Sequence, residues 1–151
     1  MTRSPSPWFD YPIEVFPHDT DYAGIVWHGS YVRWMEEARV ARLRQVGVVY
    51  GDLVALGCDL PVVELAIRYR RALRMGDRAI LRARLGPGQG LRLPWDYELW
   101  SADRQTLHLT ATVQLVAVNM ATGKVLRRLP PLLGQALAQM ADAEPGEKLE
   151  P

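Results

Sequence analysis

Cysteine, histidine and phenylalanine are scarce in this chain: one Cys, three His and two Phe among 151 residues. The lone Cys58 excludes an internal disulfide and a Cys-rich metal site, and it fits a reducing compartment. The histidines show no His-x-x-x-His spacing, so no zinc pattern is present. No apolar run approaches the roughly 18 residues of a membrane span, and the opening MTRSPSPWFD has no apolar signal segment. Charge of one sign is also missing. The net charge is +1, which calls for neither nucleic acid nor an anionic membrane. Internal repeats, low-complexity tracts and interdomain linkers are absent too. What is present is 48% hydrophobic residues, enough for one core at this length. The expectation is a single-domain cytoplasmic protein.

Residues 1–10 carry Pro5, Pro7, Ser4 and Ser6 and read as a flexible lead-in. Tyr11 to Phe16 alternate as a first strand, ended by Pro17. A polar loop from His18 to Gly29 follows. From Ser30 to about Val46 the apolar residues Tyr31, Trp34, Met35, Ala38, Ala41, Leu43 and Val46 recur at steps dominated by three and four, predicting one long amphipathic helix. Gly29 or Ser30 suits its N-cap and Gly47 its stop. A short helix is expected over 49–56. Four strands come next: Pro61–Arg70, Arg78–Leu85, Leu91–Leu99 and Thr106–Asn119, the last read as central and covered on both faces. Gly86–Gly90 is a hairpin turn. Pro94 predicts a bulge or an edge within its strand. Residues 11–130 thus form the domain, and 131–151 a short helix and an acidic tail. One helix followed by antiparallel strands gives an α+β class, the long central helix wrapped by a curved antiparallel sheet of about five strands.

Chemistry concentrates in HDTDYAGIVWHGSY, residues 18–31. Asp21 stands close to a helix start, where free N–H groups and the helix dipole favour carboxylate and oxyanion. A carboxylate can attack a thioester carbonyl or activate water for that attack. The competing reading of Asp21 is an Asx-turn or a cap. His28 can contribute its ring or its backbone N–H; the bland alternative is a loop histidine with a satisfied ring. Asp19 reads as a turn or cap residue. Gly24 suits a positive-φ turn. Ile25, Val26 and Trp27 can wall an acyl pocket, although a Trp in such a place is more often simply core. Glu36 faces a substrate or solvent. Eight arginines lie between Arg68 and Arg92, opposed only by Asp77. Most suit the wet face of strands, while two or three can meet phosphates.

Residues 16–31, FPHDTDYAGIVWHGSY, resemble the signature of hotdog-fold acyl-CoA thioesterases of the 4-hydroxybenzoyl-CoA thioesterase and YbgC-like family. RWMEEAR in the helix, the Leu60-Pro61-Val62-Val63 strand start, Tyr69 and Gly76-Asp77 extend the likeness from about Tyr11 to Asn119. The resemblance implies an enzyme hydrolysing a small or aromatic acyl-CoA to free acid and coenzyme A. It places Asp21 as nucleophile or general base, and the His28 N–H on the thioester carbonyl. It puts Trp27 and Tyr31 near the acyl pocket and Glu36 at an acidic position that meets a ring hydroxyl in the hydroxybenzoyl enzymes; Gly24, Val26 and Val63 complete the expected substrate-binding set. Arg71 and Arg92 are the candidate phosphate contacts. It implies no metal or cofactor beyond the coenzyme A thioester substrate, and a homodimer or homotetramer. The hairpin Gly-Pro-Gly-Gln-Gly departs from the family in lacking basic residues, with only Arg92 after it. The alternatives are a hotdog acyl-thioester hydratase or dehydratase, and a non-catalytic acyl-CoA-binding module.

Overall fold

The computed structural model describes residues 2–142. Five strands form one antiparallel sheet: β1 (Phe9–Glu14), β2 (Val62–Tyr69), β3 (Arg78–Leu85), β4 (Arg92–Ser101) and β5 (Leu107–Val116). Their spatial order is β1-β3-β4-β5-β2, so β1 and β2 are the edges. Helix α1 (Ser30–Gln45) is followed by α2 (Tyr50–Ala55), and α3 (Pro131–Ala141) closes the described chain. The expected acidic tail at 143–151 lies outside the described residues.

The register explains the core. Ile13, Leu81, Leu99 and Leu109 share one face of the sheet with Tyr97, Trp95, Val113 and Leu115, and all are buried. The buried stripe of α1, namely Tyr31, Trp34, Met35, Ala38 and Leu43, belongs to the same core. Ala38 and Ala83 are completely buried there. Small side chains let a helix backbone approach a sheet closely. The contact is fixed by hydrogen bonds at Tyr97, whose hydroxyl donates to the Met35 carbonyl at 3.1 Å and accepts from Arg39 Nη1 at 3.1 Å. Burial drives the Tyr97 phenol pKa upward, so this donor stays protonated. The outward stripe of α1, including Val32, Arg33, Glu36 and Glu37, is exposed.

Four readings of the sequence change. β5 is second from the edge and covered on one face only: Leu109 and Val113 are buried, whereas Thr112 is exposed. Its β-branched residues reflect sheet propensity rather than two-sided burial. Pro94 makes no bulge. Its carbonyl accepts from Gly86 N at 2.7 Å, so its missing N–H falls at the hairpin end of β4, where one ladder bond is dispensable. The lead-in is docked rather than loose, with Ser6 N donating to the Leu85 carbonyl at 2.8 Å and Leu85 N to Ser6 Oγ at 2.9 Å. Finally, Arg82 and Arg84 are not free on a wet face. The Arg82 side chain is only 2% exposed and pairs with Asp10 at 2.9 Å. Arg84 pairs with Asp96 at 3.2 Å, and both guanidinium groups lie over the Trp8 ring. Ion pairing and stacking take these charges away from any ligand.

Candidate active site

The loop before α1 is built on Asp19. Its side chain is 1% exposed. Oδ2 accepts from the Phe16 N–H at 2.9 Å, and Oδ1 meets the Arg33 guanidinium. Its carbonyl accepts twice, from Trp27 N at 2.9 Å and Ser30 Oγ at 2.8 Å. One residue therefore ties the loop entry, the loop exit and the first helical turn together. This is the turn-and-cap role read from the sequence.

Asp21 heads a tight turn. Its Oδ1 accepts from Ala23 N at 2.9 Å and Ile25 N at 3.3 Å, while its own N–H donates to the Ile25 carbonyl at 2.8 Å. Gly24 closes the turn at φ +75°, a conformation that strains residues bearing a Cβ. An Asx-turn thus exists, but it uses one carboxylate oxygen. No hydrogen bond from the described residues reaches Oδ2, and the side chain is exposed. An anchored Oδ1 with an unengaged Oδ2 is compatible with a turn role and with chemistry at the same carboxylate.

Gly29 caps α1 without side-chain help. A Cβ built on it meets the Trp27 ring at 2.2 Å, so the glycine makes room for the indole. Trp27 is half exposed and tilts against the His28 ring at 4.9 Å. The Trp27 carbonyl accepts from Ser30 N at 2.9 Å. Peptide planarity then turns the His28 N–H the opposite way, off the helix. Neither the His28 nor the Gly29 N–H finds an acceptor among the described residues. Unpaired N–H groups at a helix start are the usual raw material of an oxyanion site.

His28 borders a groove of about 210 Å³ lined also by Ile25, Val26, Tyr31, Tyr69, Arg70, Arg71 and Ala72. Tyr31 lies edge-on to Tyr69 at 5.5 Å. Burial raises the pKa of both phenols. Asp21 is not itself a lining residue; its turn partner Ile25 is. The structure therefore brings Val26, His28, Tyr31 and Arg71 together, and Asp21, with Gly24 in its turn, is joined to them through Ile25.

Other candidates lie elsewhere. Glu36 lines a second hollow, about 120 Å³, with Arg39, Val40, Tyr50, Leu60 and Val62. The two hollows mark the two ends of β2. Val62, rather than Val63, faces this one, and Val63 stands on the open edge at 57% exposure. Arg92 pairs with Val116, whereas Arg71 N donates to the His108 carbonyl. Eight residues of β5 separate those points, roughly 26 Å of strand. One chain thus cannot bring both arginines to one phosphate group. Tyr69 is the residue that the residue-by-residue reading passed over, and its strand alternation gave no sign that its hydroxyl meets the His28 carbonyl at 2.9 Å. Among the described residues no group of three His, Cys, Asp or Glu is arranged to hold a metal ion. No described helix is long and apolar enough to cross a membrane.

Comparison with known proteins identifies the family and the fold. The Synechocystis sp. protein named "Putative esterase sll0410" is 45% identical over 133 residues, spanning 88% of this chain and 80% of its own. The Haemophilus influenzae acyl-CoA thioesterase YbgC is 30% identical over 118 residues, 77% of this chain and 85% of its own. The crystal structure of Slr0204, a 1,4-dihydroxy-2-naphthoyl-CoA thioesterase from Synechocystis, superposes with a TM-score of 0.82. It covers 90% of this chain and 99% of its own at 23% identity, which establishes the shared fold. The profile of the thioesterase-like superfamily matches residues 15–139. The chain belongs to that superfamily and is, by fold and by sequence, a hotdog thioesterase.

Proposed function

We propose that the protein hydrolyses a small acyl or aromatic acyl-CoA, with Asp21 as the reacting carboxylate and the His28 N–H as the oxyanion donor. The observation that carries this is the split duty of the Asp21 carboxylate beside the open start of α1. Oδ1 is held by two backbone N–H groups, and Oδ2 is unengaged. Substrate enters the groove between Val26, Tyr31 and Tyr69, its carbonyl oxygen at the helix start. In one route Oδ2 takes a proton from water while the water oxygen bonds to the carbonyl carbon. In the other, Oδ2 itself bonds to that carbon to form an anhydride, which water then opens. In both, the carbonyl electrons pass to the oxyanion and return as the C–S bond breaks, and the coenzyme A thiolate leaves. Fixed N–H groups aimed at the oxyanion favour the transition state over the planar thioester.

A single chain leaves Asp21 open to water, so the reading includes a second protomer. The free edge of β2 exposes Val62, Val63, Leu65 and Tyr69. Such an edge is a ready template for pairing with another chain. A homodimer joined there roofs the groove, with a homotetramer built from two such pairs. Glu36, Val63 and Arg92 then reach substrate from across the seam, and Arg71 from within the chain. Cys58 is buried, which suits the cytoplasmic setting expected from the sequence.

The test is a panel of aliphatic, benzoyl and naphthoyl CoA thioesters, with thiol release followed colorimetrically. Release from at least one class is expected. Hydration of an enoyl-CoA without thiol release would favour a hydratase. Thermal stabilisation by acyl-CoA without any turnover would favour a binding module.

A further inference from the structure

We propose that Tyr69 is a positioning residue that holds the oxyanion-binding N–H groups in place through the His28 carbonyl. The inference rests on the assignment of the His28 N–H above, and it adds the Gly29 N–H, the other unpaired donor at this helix start among the described residues, as a second oxyanion donor. The Tyr69 hydroxyl donates to the His28 carbonyl oxygen at 2.9 Å across 41 residues of sequence. Two consecutive peptide planes are thereby clamped at their carbonyls: Trp27–His28 by Ser30 N at 2.9 Å and His28–Gly29 by Tyr69. A planar trans peptide turns its N–H opposite to its C=O, so fixing both carbonyls fixes both N–H directions. These are the N–H groups that have no acceptor among the described residues. The second clamp does more than orient. A carbonyl that accepts a hydrogen bond polarises its peptide and strengthens the N–H at the far end.

The clamp itself is well supported. The Tyr69 ring packs edge-on to Tyr31 at 5.5 Å, and Tyr31 is buried in the core and edge-on to Trp34 at 5.4 Å. Tyr69 also ends β2, where its partner in register is Leu109. The hydroxyl therefore connects the last residue of an edge strand to the first peptide of the helix start. The phenol pKa is raised by burial, so the donor stays protonated across the working pH range.

A bond that only staples the loop would affect stability and substrate binding. A positioning bond affects the chemical step. The experiment compares Tyr69→Phe with wild type on the best acyl-CoA of the panel. In parallel, isotope-edited infrared spectra follow a 13C-carbonyl thioester bound to Asp21→Asn and to Asp21→Asn/Tyr69→Phe. The expected result is a kcat lower by about tenfold, one weakened donor being a fraction of the loss of a whole one. KM stays within about twofold and the melting temperature is unchanged. The bound carbonyl band, shifted to low frequency in Asp21→Asn, moves back toward the free value in the double variant. Wild-type kcat together with an unmoved band overturns the proposal, as does a change confined to KM and melting temperature. If wild type binds acyl-CoA without releasing thiol, the hydrolase reading fails instead. The band in wild type against Tyr69→Phe then decides the role of Tyr69 by itself.

Discussion

Asp19 and Asp21, two residues apart, meet opposite surroundings: Asp19 is sealed at 1% exposure with both oxygens engaged, and Asp21 lies in the open with one oxygen anchored. The chain between them passes from the buried base of the loop to its exposed rim. One carboxylate builds the loop, and the other keeps Oδ2 without a hydrogen bond from the described residues.

Replacing Asp19 should therefore cost stability. Asp19→Ala removes the acceptor of the Phe16 N–H and the partner of Arg33, a loss of about 2–4 kcal/mol. Asp19→Asn keeps an acceptor for Phe16 and loses only the charge, for about 1–2 kcal/mol. Urea midpoints at unchanged m measure both. An Asp19→Ala variant as stable as wild type contradicts the clamp.

Asp21→Asn should behave in the reverse way. The amide oxygen can still accept from Ala23 and Ile25, so the turn and the melting temperature persist. On the proposed mechanism turnover should fall by at least about a hundredfold, since the group assigned to bond to carbon or take the proton is gone. Thiol release and a thermal melt on the same sample separate the two effects. Retained turnover removes the aspartate from the mechanism.

Val63→Lys places a charge on the exposed edge of β2. Charged residues at an edge block strand pairing between chains. Light scattering should show a monomer where wild type is a dimer or larger, and activity should fall with it. An active monomer would confine the site to one chain.

Alkaline pH should weaken the fold through Tyr50. Burial first, and then its neighbour Asp59, push the phenol up to about 12 from 10. Its hydroxyl donates to Asp59 at 3.2 Å. Below pH 10 the phenol is neutral in both states and its stabilisation is complete. As pH rises from 10 toward 12 the unfolded chain ionises while the folded one resists, so stability declines and is lost through the folded pKa. Tyr50→Phe should show a shallower decline in denaturant midpoint over that window. An identical slope would remove Tyr50 as a contributor beside the other buried phenols.

The sequence was most informative where one periodicity ruled. Arg78–Leu85 alternates with Ile80 as the one apolar residue on the arginine face, and the strand has those bounds. The long helix runs Ser30–Gln45 and Gly47 follows it at φ +90°. Gly24 was legible for the same reason, because a turn with φ above zero admits few other residues. Arg82 was not legible. Alternation told which face of β3 it occupies, but not that Trp8 and Asp10, more than seventy residues earlier, would cover it.

What the sequence by itself determined is the local geometry: the alternation of the strands, the helix stripe, and the turn-and-helix motif carrying Asp21 and His28. Such features rest on contacts within a few residues, which sequence order specifies. Only the tertiary structure decided that Asp19 is the sealed acid, that Arg71 and Arg92 stand at opposite ends of the sheet, and that Tyr69 reaches the His28 carbonyl. Those outcomes depend on sheet order and register. A strand's pattern defines its two faces, but its neighbour is chosen by the packing of the whole chain.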